Sequence, residues 1–487
     1  MTSVRRSLLI SVTEKYLLVV LQLVSFVVLA RLLRPEDVGV YSVAAALVGV
    51  AQVVRDFGVA SYLVQEKHLT PEKTDTAATV MLLVSWSLGL LVLLAAGPLA
   101  AFYRDERLRE ALMVMAAGFA LVPFGAVRLA LLRRALAFGK VFWINLAASV
   151  ANIGLGILLA WWGFAHMSLV WAWLASIAVT SALAVALERG GRLLPWQLAH
   201  WREVLGFGGR VTASSVVAEL AVNVNDLVIG RVLGFGAVGY LNRALGVMNL
   251  FHRDFMAAIR NVAFPAFARA RRQGEDVEAQ FIHSLTLVTV VAWPFYGFLA
   301  LYPAEVLALL FGPQWAPAAE LVPVFCLAGA VASLWNLIQA LLNALGRADL
   351  TLRGELLVQP VRVAALVAAA LWFNNLLAYA CAFAAIYAYS VPVLYRLKDR
   401  ALPTRYRALA RGLGHSLLVA AGTLAVPAAF ALARQAGQLA VPPLALLGLG
   451  LVTAFAWVAL LWATRHPLIN DPALTGRLPW LARPRAT

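Results

Sequence analysis

Charge is what this sequence has least of. Of its 487 residues, 13% are Asp, Glu, Lys or Arg and 62% are hydrophobic. A soluble domain carries about a quarter charged residues, so a globule of this composition would lack a solvated surface. Cysteine is almost missing: there are 2. Cys326 and Cys381 both fall in apolar stretches, which argues against a disulfide framework or a thiolate metal site and predicts two small core hydrophobes. The 7 histidines show no metal-ligand spacing, and no Walker loop is present, so the chain is not expected to hydrolyse ATP or to carry a cofactor. Period-two alternation is absent, which excludes a membrane β-barrel. The longest loop on the sparsely charged side, 303–319, holds Glu305 but no His, Lys or Arg; a catalytic constellation has no place there. The first apolar segment runs on without a small-residue cleavage pattern, so no cleavable leader is expected.

What is present is a succession of apolar stretches, each of about twenty residues and long enough to cross a hydrocarbon core. Lipid offers the backbone no hydrogen bonds, so each stretch must be a helix. Fourteen spans are expected, the first at 10–32 and the last at 441–464, making an all-α polytopic membrane protein. The net charge of +16 reads as a membrane signature rather than as nucleic-acid affinity, because Lys and Arg collect in cytoplasmic loops. With the N-terminus inside, 28 of the 40 basic residues fall in cytoplasmic segments and 7 in external ones. Both termini are therefore expected in the cytoplasm, and the bacterial inner membrane is the expected location.

The two halves resemble each other. Arg31, Leu33, Val38 and Gly39 recur as Arg231, Leu233, Val238 and Gly239 at a spacing of 200, and Arg55-Asp56-Phe57 recurs as Arg253-Asp254-Phe255 at a spacing of 198. Six spans separate the copies, so the repeat is parallel. Two six-helix lobes, 1–190 and 191–400, are expected, followed by two further spans over 401–465 and a cytoplasmic tail, 466–487. Such lobes enclose a central site and rock about it.

Polar residues inside spans are costly and are read as functional first. Span 7 places Thr212, Ser215, Glu219, Asn223 and Asp226 at steps of 3, 4, 4 and 3 on one helical face. Span 1 has a thinner stripe with Lys15 and Gln22. Span 2 carries Tyr41, Gln52 and Arg55, span 8 carries Arg243 and Arg253, and span 11 places Arg362 two residues after Pro360. The substrate-binding candidates are Lys15, Gln22, Gln52, Arg55, Glu219, Asn223, Arg243, Arg253 and Arg362. The gating or coupling candidates are Asp56, Glu219, Asp226 and Asp254. Arg55–Asp56 and Arg253–Asp254 also fit a plainer role, as ion pairs snorkelling at helix ends. Together the candidates describe a net cationic cavity, and arginine forks match phosphate oxygens. An anionic substrate such as a pyrophosphate headgroup follows, with Gln, Asn, Trp and Tyr for sugars.

Four stretches carry a family resemblance: Ala30–Glu66 (ARLLRPEDVGVYSVAAALVGVAQVVRDFGVASYLVQE), Asn225–Ala244, Leu309–Phe325 and Leu341–Leu350. In order and spacing they resemble the polysaccharide transporters, or O-antigen flippases, of the multidrug/oligosaccharidyl-lipid/polysaccharide exporter superfamily, over roughly residues 5–400. The resemblance implies two six-helix lobes around a V-shaped, MATE-like cavity, often with two extra C-terminal helices. It implies movement of an undecaprenyl-pyrophosphate-linked oligosaccharide between leaflets. It also brings the expectations of proton or sodium coupling and of a polysaccharide polymerase and export machinery as partners, besides membrane lipids. A cation-coupled multidrug exporter of the same superfamily would need an acidic lumen. A membrane polymerase or glycosyltransferase would need a large catalytic loop. A lipid scaffold would not need the polar face of span 7.

Overall fold

Among the described residues every regular element is helical, as the lipid argument requires. The computed structural model describes residues 17, 21–56, 58–188, 196–199, 201–435 and 445–470. Two units emerge, 1–239 and 240–487.

The first unit contains α1 (Leu21–Leu32), α2 (Pro35–Asp56), α3 (Val59–Gln65), α4 (Pro71–Tyr103), α5 (Arg107–Arg134), α6 (Phe138–Trp161), α7 (His166–Leu187) and α8 (Trp201–Val232). It ends with the opening turn of α9 (Phe235–Asn249). The second unit takes the rest of α9, a π-helical turn (Leu250–Phe255), α10 (Met256–Gln273), α11 (Val277–Leu301), α12 (Pro303–Leu310), a 3₁₀ segment (Pro313–Glu320) and α13 (Val322–Ala332). It continues with α14 (Ile338–Ala344), α15 (Ala348–Phe373), α16 (Leu376–Asp399), α17 (Tyr406–Gln435) and α18 (Ala445–Ala463).

Ten stretches among the described residues, one of them α2 with α3, are long and apolar enough to cross a membrane, and eleven if the 3₁₀ segment and α13, bent by 57°, form one span. The other three expected spans correspond to α1, whose stretch begins outside the described residues, to the polar-faced α8, and to α9, which the π-turn interrupts. The expected loop at 303–319 is helical too, as α12 and the 3₁₀ segment.

Local chemistry starts these helices. Thr70 accepts from the Lys73 amide at 3.3 Å with Pro71 at the first helical position, and Asp276 accepts from the Ala279 amide at 2.9 Å. Apolar side chains then divide between protein and lipid. Leu90, Leu94 and Phe455 stay exposed, while Trp161, Trp162 and Trp372 stand 65–82% exposed at helix ends, where amphipathic rings suit the interface. Cys381 is exposed, which corrects the expectation of a core residue; Cys326 is buried. On a lipid-facing helix a small apolar side chain has no need of a core.

The last two helices are bonded into their unit through α11. Ser416 donates to the Thr286 carbonyl at 3.1 Å and accepts from Thr289 at 3.0 Å. The Trp457 indole donates to the Val290 carbonyl at 2.9 Å, and Val290, Val419, Leu461, Leu468 and Ile469 form one apolar cluster.

The repeat has a direct structural expression. Pro35 and Phe235, 200 positions apart, open α2 and α9. A Cβ on Gly39 would stand 1.8 Å from the Phe235 carbonyl oxygen, and one on Gly239 would stand 2.1 Å from the Pro35 carbonyl oxygen. Each copy thus seats its glycine on the other copy's helix-opening carbonyl, an approach that only an absent side chain permits.

Candidate functional site

A cavity of about 500 Å³ lies in the first unit, walled by α2, α3, α5 and α7. α2 stops at Asp56, which lies in the lining. Gly58 takes φ 63, a left-handed conformation that suits glycine, and the short α3 follows from Val59. The far side of α3 is tied down. Tyr62 donates to Glu203 at 3.1 Å, Lys73 reaches Glu66 at 2.8 Å and Glu203 at 3.0 Å, and Arg134 donates to the Leu63 carbonyl at 2.8 Å. The opposite wall depends on close approach: a Cβ on Gly118 would meet the Trp173 ring at 2.7 Å, and one on Gly125 would meet Ser181 at 2.7 Å. These contacts aim one face of α7 at the cavity.

The structure brings Gln52, Arg55 and Asp56 to this lining. The Arg55 guanidinium is bound to Asp56 at 2.7 Å and 3.0 Å and stacks over Phe119 at 5.7 Å from the ring centre. Arg133 joins them from α5 with no carboxylate partner among the described residues. Two guanidinium groups therefore face one carboxylate. Trp173, Ser176 and Thr180 complete a polar-aromatic wall. The Thr180 hydroxyl is already used, donating to the Ser176 carbonyl at 2.8 Å. Sequence reading missed this wall and Arg133, although Trp173, Ser176 and Thr180 follow steps of 3 and 4 just as the span 7 residues do.

Glu219 and Asn223 lie next to the same helix. Asn223 donates to the Glu219 carboxylate at 2.7 Å, and that carboxylate would sit 3.0 Å from a Cβ on Gly49, one turn before Gln52 on α2. Asp226 is half-buried on α8 and Gln22 is exposed on α1. Lys15, and the side chains of Thr212, Ser215, Arg253 and Asp254, lie outside the described residues.

The second unit gathers a different group. The π-turn carries His252, and the break between α13 and α14 carries Trp335 and Asn336. Arg260 donates to the side-chain oxygen Oδ1 of Asn336 at 3.0 Å, while the side-chain nitrogen Nδ2 of Asn336 meets His252 Nδ1 at 3.4 Å. An amide nitrogen only donates, so Nδ1 accepts and Nε2 holds the proton of the neutral ring. Tyr387 packs 5.9 Å from His252 and 5.7 Å from Trp335. Arg362 stacks 5.6 Å over Phe383, which stacks on Tyr387 at 4.5 Å. Of this group only Arg362 was expected; His252, Arg260 and Asn336 meet because two helices are irregular where they meet, a frequent mark of functional positions. Arg243 lies elsewhere in the unit, 6% exposed, 4.8 Å from Trp315 and 5.4 Å from Phe311; its guanidinium meets aromatic rings.

Both groups offer guanidinium forks, amides and ring faces, the set that recognises phosphate and sugar. The described residues hold no cluster of His, Cys, Asp and Glu suited to a metal ion.

Comparison with known proteins gives consistent answers. A family model described as "Polysaccharide biosynthesis protein" matches residues 28–320. The lipopolysaccharide biosynthesis protein WzxC of Escherichia coli is 27% identical over 341 residues, 68% of each chain. The succinoglycan biosynthesis transport protein ExoT of Rhizobium meliloti is 26% identical over 302 residues, 61% of this chain and 60% of that one. Among solved structures, the lipid II flippase MurJ in an inward closed conformation aligns with a TM-score of 0.73 at 12% identity, covering 97% of this chain and 100% of that one. An inward-facing MATE multidrug transporter aligns with a TM-score of 0.61 at 16% identity, covering 81% of this chain and 96% of that one. At such identities these two likenesses speak for the fold alone.

Proposed function

The chain belongs to this family of polysaccharide biosynthesis proteins, and on that premise we propose that it flips an undecaprenyl-pyrophosphate-linked oligosaccharide from the cytoplasmic to the outer leaflet by alternating access. It is a multi-pass membrane transporter of the polysaccharide exporter type rather than an enzyme. The observation that carries the reading is the lining of the first unit's cavity: Arg55 and Arg133 against the single carboxylate of Asp56, beside Trp173 and Ser176. A cationic excess suits pyrophosphate, and a ring with hydroxyls suits sugars. An exporter of organic cations would call for the opposite charge.

The finer parts of the proposal are these. The protein sits in the bacterial inner membrane with both termini in the cytoplasm. Its lobes are 1–190 and 191–400, with two added helices. Charges assigned to one side pair with each other, which supports this topology: Lys73 with Glu66 and Glu203, Arg405 with Asp276, and Arg434 with Glu305 on the other side. The absolute direction comes from the positive-inside bias. In the first unit's cavity Gln52, Arg55 and Arg133 contact substrate, and the group of His252, Arg260 and Arg362 is the second unit's own candidate for substrate contact. The Glu219–Asn223 pair is the place where a proton or sodium gradient couples, and a polysaccharide polymerase takes the product.

The test uses purified protein in liposomes with lipid-linked oligosaccharide in the inner leaflet. Access of an impermeant glycosidase to the glycan should rise with time only when the protein is present. Equal access in empty liposomes would overturn the proposal.

A further inference from the structure

A second pocket, about 330 Å³, opens between the first turns of α11 and α17, with Pro467 at its floor. It shares no lining residue with the cavity of the first unit. Four basic side chains line it: His283 from α11, and Arg405, Arg411 and His415 from α17 and the turn before it. No carboxylate is in the lining. Nearby acids are spoken for. Asp276 holds Arg405 at 2.6 Å, and Glu278 holds the buried Lys398 at 2.6 Å. Arg411 is exposed and has no carboxylate partner among the described residues.

The helices can approach this closely because Gly412 faces Thr286; a Cβ there would stand 2.5 Å from the Thr286 hydroxyl. Both helices begin at this end, so both present the positive ends of their dipoles to it. His415 Nε2 meets the Thr464 carbonyl at 2.9 Å. A carbonyl only accepts, so Nε2 carries the proton and Nδ1 is left for another partner. Behind the pocket, His466 accepts the Leu468 amide at 3.2 Å on Nδ1. Burial first, and then the neighbouring His415 and His283, push its imidazole down to about 4.

Beyond the pocket α17 presents an exposed apolar side chain on the same face. Along α17, Arg411, His415 and Leu418 fall at steps of 4 and 3 on one face, and Leu418 is 57% exposed. A charged end followed by an open apolar track is the form of an amphiphile, which separates it from a free anion. We propose that this pocket binds the phosphodiester headgroup of an anionic phospholipid, with Arg411 as its principal cation, and that the acyl chains run along α17 past Leu418. Basic pockets between transmembrane helices take such headgroups, and on the orientation proposed above this one faces the cytoplasmic leaflet.

The full-length protein, purified in detergent and stripped of lipid, is titrated with phosphatidylglycerol, phosphatidylcholine or inorganic phosphate while its melting temperature is followed. Phosphatidylglycerol alone should raise it. Arg411→Gln should weaken the apparent affinity about five-fold, the equivalent of ~1 kcal/mol for one basic residue at a lipid surface. Arg411→Lys should keep most of it, and His283→Gln should weaken it independently, which guards against a folding defect in one variant. An equal response to phosphatidylcholine, a response reproduced by inorganic phosphate, or unchanged affinity in both neutral variants would overturn the proposal. None of these variants touches the residues proposed to contact the glycolipid, so failure of the flippase reading would leave this titration unaffected.

Discussion

Gly39 and Gly239 make the sharpest demand on the reasoning, because the same methyl group is predicted to have opposite effects at different glycines. At Gly39 the added carbon would fall 1.8 Å from a backbone oxygen, that of Phe235, and real Cβ contacts essentially stop at 3.0 Å. A backbone oxygen cannot rotate away, so the openings of α2 and α9 must separate by about 1.2 Å, the gap between those two distances. At Gly239 the corresponding gap is about 0.9 Å, from 2.1 to 3.0 Å. Forced separation of packed elements costs about 1–3 kcal/mol. The control is Gly154 in α6, where nothing lies within 4 Å of the added carbon. There Ala replaces a poor helix former at an open position and should stabilise by about 0.5–1 kcal/mol.

The double variant sharpens the test. Separation sufficient for the methyl at Gly39 already admits the one at Gly239, so the two costs should not add; contacting residues commonly couple by about 0.5–3 kcal/mol. Thermal unfolding of the purified protein reads all four. At roughly 2–4 °C per kcal/mol for a unit of this size, Gly39→Ala and Gly239→Ala should each melt several degrees below wild type, Gly154→Ala at or above it, and the double variant close to Gly39→Ala alone. Singles that melt with wild type would refute the close contact. A double variant with summed losses would refute the shared displacement. Under the flippase reading the singles should also slow transport, since they push apart the openings of α2 and α9.

Other parts of the molecule carry their own tests. Lys398 and Glu278 are both buried at 2.6 Å, so Glu278→Ala leaves an ammonium without its counter-charge and should cost about 3–5 kcal/mol, seen as a large fall in melting temperature; Glu278→Leu with Lys398→Leu should recover much of it. Arg133→Ala should reduce glycan transfer in liposomes strongly while leaving the melting temperature within a degree or so, because an exposed side chain with no ion pair among the described residues contributes little to stability. Asn336→Leu removes both bonds that link Arg260 to His252 and should cost about 1–3 kcal/mol; retained transport together with unchanged stability would deny the cluster any part.

What hydropathy conveys in such a chain is the boundary between membrane and water, and that boundary was legible. The helices follow from it, as do Gln52 and Arg55, which stand out as polar residues in an apolar helix and do reach a cavity. The boundary between protein and lipid is a different matter, because both sides are apolar. Cys381 and Cys326 sit in equally apolar surroundings in the sequence, yet one faces outward and the other is buried. Burial has to be read from size and polarity instead. Trp173, Ser176 and Thr180 had the required steps of 3 and 4 and were legible by the rule already applied to span 7. His252 and Asn336 were not, since their meeting depends on a π-turn and a helix break that no 3.6-residue period encodes. Lys398 was sorted as a loop charge, and its partner lies 120 residues away.

Small residues supply the missing signal. With lipid as apolar as leucine, helices gain from close backbone approach rather than from hiding hydrocarbon. A glycine kept at the same step of two repeats is then a statement about packing. Gly39 and Gly239 recur at a spacing of 200 and are the residues that touch the other repeat's carbonyl. The repeat and the contact are thus one fact seen twice, since a duplicated helix opening that packs on its own copy must keep the same small residue at the same place in both. Because each added methyl presses on the helix opening that holds the other glycine, Gly39→Ala and Gly239→Ala must both be deleterious and their costs must not add, whereas two glycines that do not share a contact would carry no such obligation.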